Sequence, residues 1–181
     1  MRRCRTRSNT RLVEQPLPVP EIRPETAADL VAIHALVAAC FPSDAEARLI
    51  DALRAAGRLS LSLVAEDAGG ILGHIGFSPM TGLAGGLGLA PLAVHAAHRR
   101  RGIGARLTRE GLAGCARLGA RFVVVLGDPA YYGRFGFMPA SRWGLSGEYG
   151  GGDAFQALEL VPGAITPGTG LIRYAPEFAA L

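Results

Sequence analysis

Three stretches decide the fold: LGLAPLAV (87–94), HRRRGIGARL (98–107) and FVVVL (122–126). The last is an unbroken, largely β-branched apolar run, the pattern of a strand covered on both faces. The first is nearly as apolar and reads as its partner strand. Between them Gly102 and Gly104 open a helix predicted from about Gly104 to Leu118, with Leu107, Gly111, Cys115 and Leu118 along one stripe. Strand, glycine-rich turn, helix and strand make a βαβ unit with a right-handed crossover.

Outward from this unit the chain alternates less regularly. Glu21–Pro24 reads as a short strand. A helix follows from Glu25-Thr26, with Leu30, Ile33, Val37 and Phe41 as its apolar stripe. Pro42 breaks it, and Ser43 or Asp44 is a natural N-cap for a second helix carrying Leu49, Ile50 and Leu53 and ending at Gly57. Segments 61–66 and 71–78 read as strands of an antiparallel hairpin turning at Asp67–Gly70. Residues 144–152 are glycine-rich and read as a flexible connector, and 154–161 as a last strand.

The 181 residues suffice for one domain with a core of its own. All 19 basic residues are arginine, and five of them fall within the first 11 positions. Without those five, 14 arginines face 15 carboxylates, so the formal +4 of the whole chain becomes −1. The basic character belongs to a tail, and the electrostatic footprint of a nucleic-acid-binding domain is absent. Residues 1–20 are accordingly expected to be a basic, disordered extension, and 21–181 a single domain. No apolar run reaches the roughly 18 residues of a membrane span. Cys4, Cys40 and Cys115 are odd in number and unpatterned, which fits reduced thiols in a cytoplasmic protein and neither a disulfide framework nor a metal site.

The chemistry sits at the turn inside the βαβ unit. A helix N-terminus presents free N–H groups and the positive end of the macrodipole, so it attracts anions. A Walker loop requires a lysine, which this chain lacks. The dinucleotide fingerprint G-x-G-x-x-G fails at Leu107.

Arg99-x-x-Gly102-x-Gly104 instead resembles the R/Q-x-x-G-x-G/A pyrophosphate loop of the GNAT N-acetyltransferase superfamily. Downstream, Tyr132-x-x-x-Gly136-Phe137 resembles the Y-x-x-x-G-F segment of the same superfamily, in the right order and at the right distance. The stretch 92–139 looks particularly like the YhbS-like branch of predicted acetyltransferases. The likeness extends to 21–57, 61–78 and the ending Tyr174-Ala175-Pro176-Glu177-Phe178. It implies an α/β fold with a mixed, mostly antiparallel central sheet, splayed between its fourth and fifth strands and flanked by helices.

The resemblance also implies an enzyme, an N-acetyltransferase that passes an acetyl group from acetyl-coenzyme A directly to a primary amine. The alternative is a non-catalytic acyl-coenzyme A binding module. Leu92, Ala93 and Val94 would pair with the pantetheine arm. Arg99, Arg100, Arg101, Gly102, Ile103, Gly104 and Ala105 would hold the pyrophosphate. Tyr132 would be the general acid for the thiolate, and a backbone N–H on the splayed strand would hold the oxyanion. No metal is implied. The expected partner is a small-molecule or peptide amine, with neither nucleic acid nor membrane, and the family accommodates homodimers.

A base is harder to find. Relatives often carry a glutamate on the strand before the phosphate loop, and 87–94 has none. Asp128, at the exit of 122–126, is the nearest carboxylate in sequence and is a candidate base or orienter, with turn capping as its structural role. His74 is read as a hydrogen-bonded sheet residue, and His95 and His98 as flanking the loop at no metal-ligand spacing. Trp143 and the 144–152 loop are candidates for shaping the acceptor pocket.

Overall fold

The computed structural model describes residues 19–181. The expected disordered extension therefore lies, except for Val19 and Pro20, outside the described residues. Seven strands form the central sheet: β1 (Glu21–Pro24), β2 (Leu61–Asp67), β3 (Gly70–Pro79), β4 (Gly86–Val94), β5 (Phe122–Leu126), β6 (Met138–Pro139) and β8 (Phe155–Glu159). Their order is β1-β2-β3-β4-β5-β8-β6. Every neighbouring pair is antiparallel except β4 and β5, which the βαβ crossover forces to be parallel.

That parallel pair is short. It joins Gly86 to Phe122, Leu87 to Val123 and Gly88 to Val124, and then the strands part. β4 stays on β3 as far as Val94, while β5 stays on β8 as far as Leu126, so the sheet forks after Gly88. A bulge sits just beyond the fork: Phe77 faces Leu89 and Ile75 faces Leu92, leaving Ala90 and Pro91 opposite Gly76 alone.

The helices cover both faces. α1 (Leu30–Cys40) and α2 (Ala45–Ala55) bury Ile33, Leu36, Val37, Leu49, Ile50 and Leu53 against one side. α3 (Ile103–Arg117) buries Ile103, Leu107 and Cys115 against the other, with Ile75, Phe77, Val123 and Val125. Glycine lets α3 approach closely, since a Cβ at Gly111 would lie 2.6 Å from Phe77 Cε2. The predicted elements are present, most with ends within one or two residues; the first helix, expected from Glu25-Thr26, begins only at Leu30, after a 3-10 turn at Ala27–Asp29.

The C-terminal third departs from the expectation. The glycine-rich stretch is not only a connector: β7 (Leu145–Gly147) pairs in parallel with β9 (Gly170–Ile172), a second small sheet. The strand after it, β8, is consequently not the last. α4 (Pro129–Tyr132) is a single turn set off by the Gly-Asp-Pro corner. Strands of two or three residues carry too little periodicity to be seen in sequence.

Candidate active site

The first residue-level feature is the mouth of α3. Arg100 and Gly102 both have positive φ, 60° and 82°, which turns the chain sharply from the end of β4 into the helix. The first helical bond runs from Arg106 N–H to Gly102 O at 3.0 Å. The N–H groups from Gly102 to Ala105 are thus the orphan donors every helix start leaves over. They open on a cleft of about 720 Å³ lined by Leu92, Ala93, Val94, Arg99, Arg100, Gly102, Ile103, Gly104 and Ala105.

Nine of the ten residues expected at a coenzyme A cradle therefore converge there. Arg101 does not: it borders a separate groove with His98, Arg106 and Pro20. Three consecutive arginines on a turning chain cannot all face one way. Arg99 is also less free than its charge suggests, because its Nε donates to Val94 O at 3.1 Å.

The edge of β4 has a definite polarity. His95 N–H donates to Leu72 O of β3 at 2.8 Å. Antiparallel alternation then commits the backbone of Ala93 to β3 and turns that of Leu92 and Val94 toward the fork. Val94 O already accepts Arg99 and the Cys40 thiol, the latter at 3.3 Å.

Four further residues line the cleft that the sequence did not single out: Cys40, Phe41, Tyr131 and Arg134. The first two close it from the end of α1, a placement set by packing with no local signal. Tyr131 and Arg134 are three apart, the spacing of neighbours on one side of a turn, and that signal was available. The Arg134 guanidinium lies 4.5 Å from the Tyr131 ring centroid. The Tyr131 hydroxyl is buried with no hydrogen-bond partner, and a Cβ at Gly104 would approach it to 2.8 Å.

Tyr132 is placed differently. It is 9 % exposed, packs edge-on against Tyr131 and Phe137, and covers Gly127, where a Cβ would meet its ring at 2.4 Å. It lies beside the cleft rather than on its lining. Burial, with Tyr131 alongside, pushes its phenol well above the ordinary value, so it keeps its proton at neutral pH. Asp128 is exposed and accepts Ala130 N–H at 2.9 Å, capping α4 and with it the tyrosine pair.

His74 is fully buried and bonded in a line that reaches the surface. Arg54 clamps Glu25 at 2.7 and 3.0 Å, Ser62 Oγ donates to Glu25 Oε2 at 2.5 Å, and His74 Nε2 lies 2.8 Å from Ser62 Oγ. Because a carboxylate only accepts, Ser62 donates to it and takes the His74 Nε2 proton, which leaves Nδ1 as a buried acceptor without a partner. Burial pulls the His74 pKa down to about 4. His34 pairs with Asp51 at 2.6 Å, His98 borders the cleft, and half-buried Trp143 packs against the core. Among the described residues no group of three His, Cys, Asp or Glu is placed to hold a metal ion.

Comparison with known proteins shows the family. Residues 21–140 match the Acetyltransferase (GNAT) domain. The N-acetyltransferase YhbS of Escherichia coli K12 is 41% identical over 162 residues, covering 87% of this chain and 97% of that one. The crystal structure of E. coli YhbS in complex with CoA superposes with a TM-score of 0.85 at 40% identity, covering 91% and 94% of the two chains. A GNAT acetyltransferase from Brucella melitensis in complex with acetyl-CoA gives 0.73 at 39% identity, covering 87% and 97%. The chain belongs to the GNAT acetyltransferases, enzymes built around coenzyme A.

Proposed function

We propose that the protein is a cytoplasmic N-acetyltransferase in which a primary amine attacks acetyl-coenzyme A directly, with Tyr132 as the general acid. The single observation that carries this reading is the fork of the sheet, flanked by a protonated, buried phenol and ending at a cleft lined by free backbone donors. The residues present fit the cofactor. The helix mouth offers unpaired N–H groups, Gly104 leaves room where a Cβ would crowd Tyr131, and the buried Tyr131 hydroxyl lacks a partner.

Gly102, Ile103, Gly104 and Ala105 would hold the pyrophosphate through backbone N–H groups, with Arg99 and Arg100 supplying charge. Arg101 contributes through its position in the turn. Leu92 and Val94 would meet the pantetheine amides along the free edge of β4, and Ala93 would line the same wall. Bound acetyl-coenzyme A supplies the activated acyl carbon and the thiolate leaving group. Pro91 has no N–H, so the N–H of Leu92, turned to the fork beside the bulge, is the donor for charge developing on the acyl oxygen. Tyr132 gives its proton to the departing sulfur, and Asp128 orients it by holding α4.

Steady-state release of free thiol from acetyl-coenzyme A with a panel of primary amines tests this reading. Turnover without a covalent acetyl-enzyme in the mass spectrum is the expected result. Tight cofactor binding with no turnover on any amine would return the binding-module alternative.

A further inference from the structure

We propose that the sheet face opposite α3 carries the acceptor site, in which Tyr174, Tyr149 and Glu148 form a half-cage for a primary ammonium on an apolar skeleton without a carboxylate. The proposal rests on the acetyltransferase reading above and adds its substrate class.

Glu148 follows β7 and Tyr174 follows β9, so the parallel pairing of these two short strands brings the residues together. Glu148 Oε1 accepts the Tyr174 N–H at 2.9 Å. The Tyr149 and Tyr174 rings lie 5.9 Å apart, and Phe178 stacks on Tyr174 at 4.6 Å. Arg58 holds Glu177 at 2.5 Å and so ties this terminal segment to the chain just past α2.

This group sits at the fork itself. Gly88 is the last β4 residue joined to β5, and a Cβ there would lie 2.9 Å from Tyr174 Cε1 and from Met80 Sδ. The Tyr174 ring thus occupies the space a side chain at the fork would need. Ser78 of β3 stands directly opposite Gly88. Tyr174 is 7 % exposed and Ser78 is 0 % exposed, and both hydroxyls are buried without any hydrogen-bond partner. A buried hydroxyl without a partner is costly, so two flanking Gly88 mark a place completed by something else. Burial pushes the Tyr174 phenol upward, so it stays protonated at neutral pH.

The chemistry selects a cation. Aromatic faces attract an ammonium, a carboxylate neutralises it, and the same carboxylate repels an acidic substrate. Exposed Tyr149, with Leu126 against Gly151 of the same loop, supplies an apolar rim. Glu148 serves as the base that β4, which carries no glutamate, does not supply. It takes one proton from the ammonium and passes it to solvent, leaving a neutral amine. The amine nitrogen forms the N–C bond as the C–S bond breaks. Tyr132 protonates the sulfur and recovers the proton that the nitrogen sheds.

The test uses the full chain saturated with coenzyme A and 2-phenylethylamine hydrochloride as probe, followed by saturation-transfer NMR. Binding is expected, at least tenfold tighter than for uncharged 3-phenylpropan-1-ol or for phenylalanine. Glu148→Gln and Tyr149→Ala should each weaken it about tenfold while coenzyme A affinity, measured by calorimetry, stays the same. Where the wild type turns over, Glu148→Gln should also raise the amine KM and move the acidic limb of the pH–rate profile. Equal probe binding in both variants, or preference for phenylalanine, would overturn the acceptor site. Absence of turnover with probe binding intact would overturn the catalytic reading alone.

Discussion

Tyr131 and Tyr132 are chemically identical neighbours with different surroundings. Tyr131 lines the cleft and carries Arg134 over its ring, while Tyr132 is buried beside Gly127 and Phe137. The motif spacing in the sequence singled out Tyr132, whereas for Tyr131 the only signal was its spacing from Arg134, because the direction of each side chain depends on the one-turn helix α4. Replacing Tyr132 by Phe removes one oxygen from a packed ring and is expected to spare the fold. Turnover should fall roughly ten- to a thousandfold, the range for loss of an acid catalyst, with coenzyme A affinity nearly unchanged. Stopped assays of thiol release paired with calorimetry check this, and unaltered turnover would strip Tyr132 of its role.

Among the elements, α3 shows most plainly how sequence pattern and packing combine. Its apolar stripe was legible as far as Cys115, with Leu118 instead exposed just past the helix end, and so was the strand on either side, because long periodic segments announce themselves. Gly111 on that stripe proves to be the contact with Phe77. Two effects compete in Gly111→Ala. Alanine gains about 1 kcal/mol in helix propensity, whereas forcing a methyl group onto a fully buried ring costs about 1–3 kcal/mol. Overpacking should win by up to about 2 kcal/mol, lowering Tm by up to about 8 °C for a chain of this size. Gly114→Ala meets only the half-buried end of Leu61 and should be milder, a comparison that thermal melts of the two variants make directly. The short pair β7 and β9 was not legible, since three residues define no period and their register depends on the whole C-terminal third.

At the scale of the molecule, half of the 14 arginines outside the tail are committed to nearby oxygens: Arg23, Arg48, Arg54 and Arg58 to carboxylates, and Arg99, Arg106 and Arg134 to backbone carbonyls. The buried line from Arg54 to His74 adds a pH dependence. Unfolded histidine titrates near 6.5, but His74 in the fold does so at about 4, lowered by desolvation and by Arg54 against the pull of Glu25. Between those values the unfolded chain holds a proton that the folded chain refuses, so stability falls as pH drops through this window, by on the order of 3 kcal/mol, and is full above it. Urea unfolding at pH 7 and pH 4.5 should show that loss, and His74→Gln should flatten it. The fork, finally, governs the order of events. With the cofactor cleft at the end of β4 and the proposed acceptor site on the far face, neither substrate has to leave before the other can enter. Double-reciprocal plots should intersect rather than run parallel, and coenzyme A should inhibit competitively against its own acetylated form yet noncompetitively against the amine.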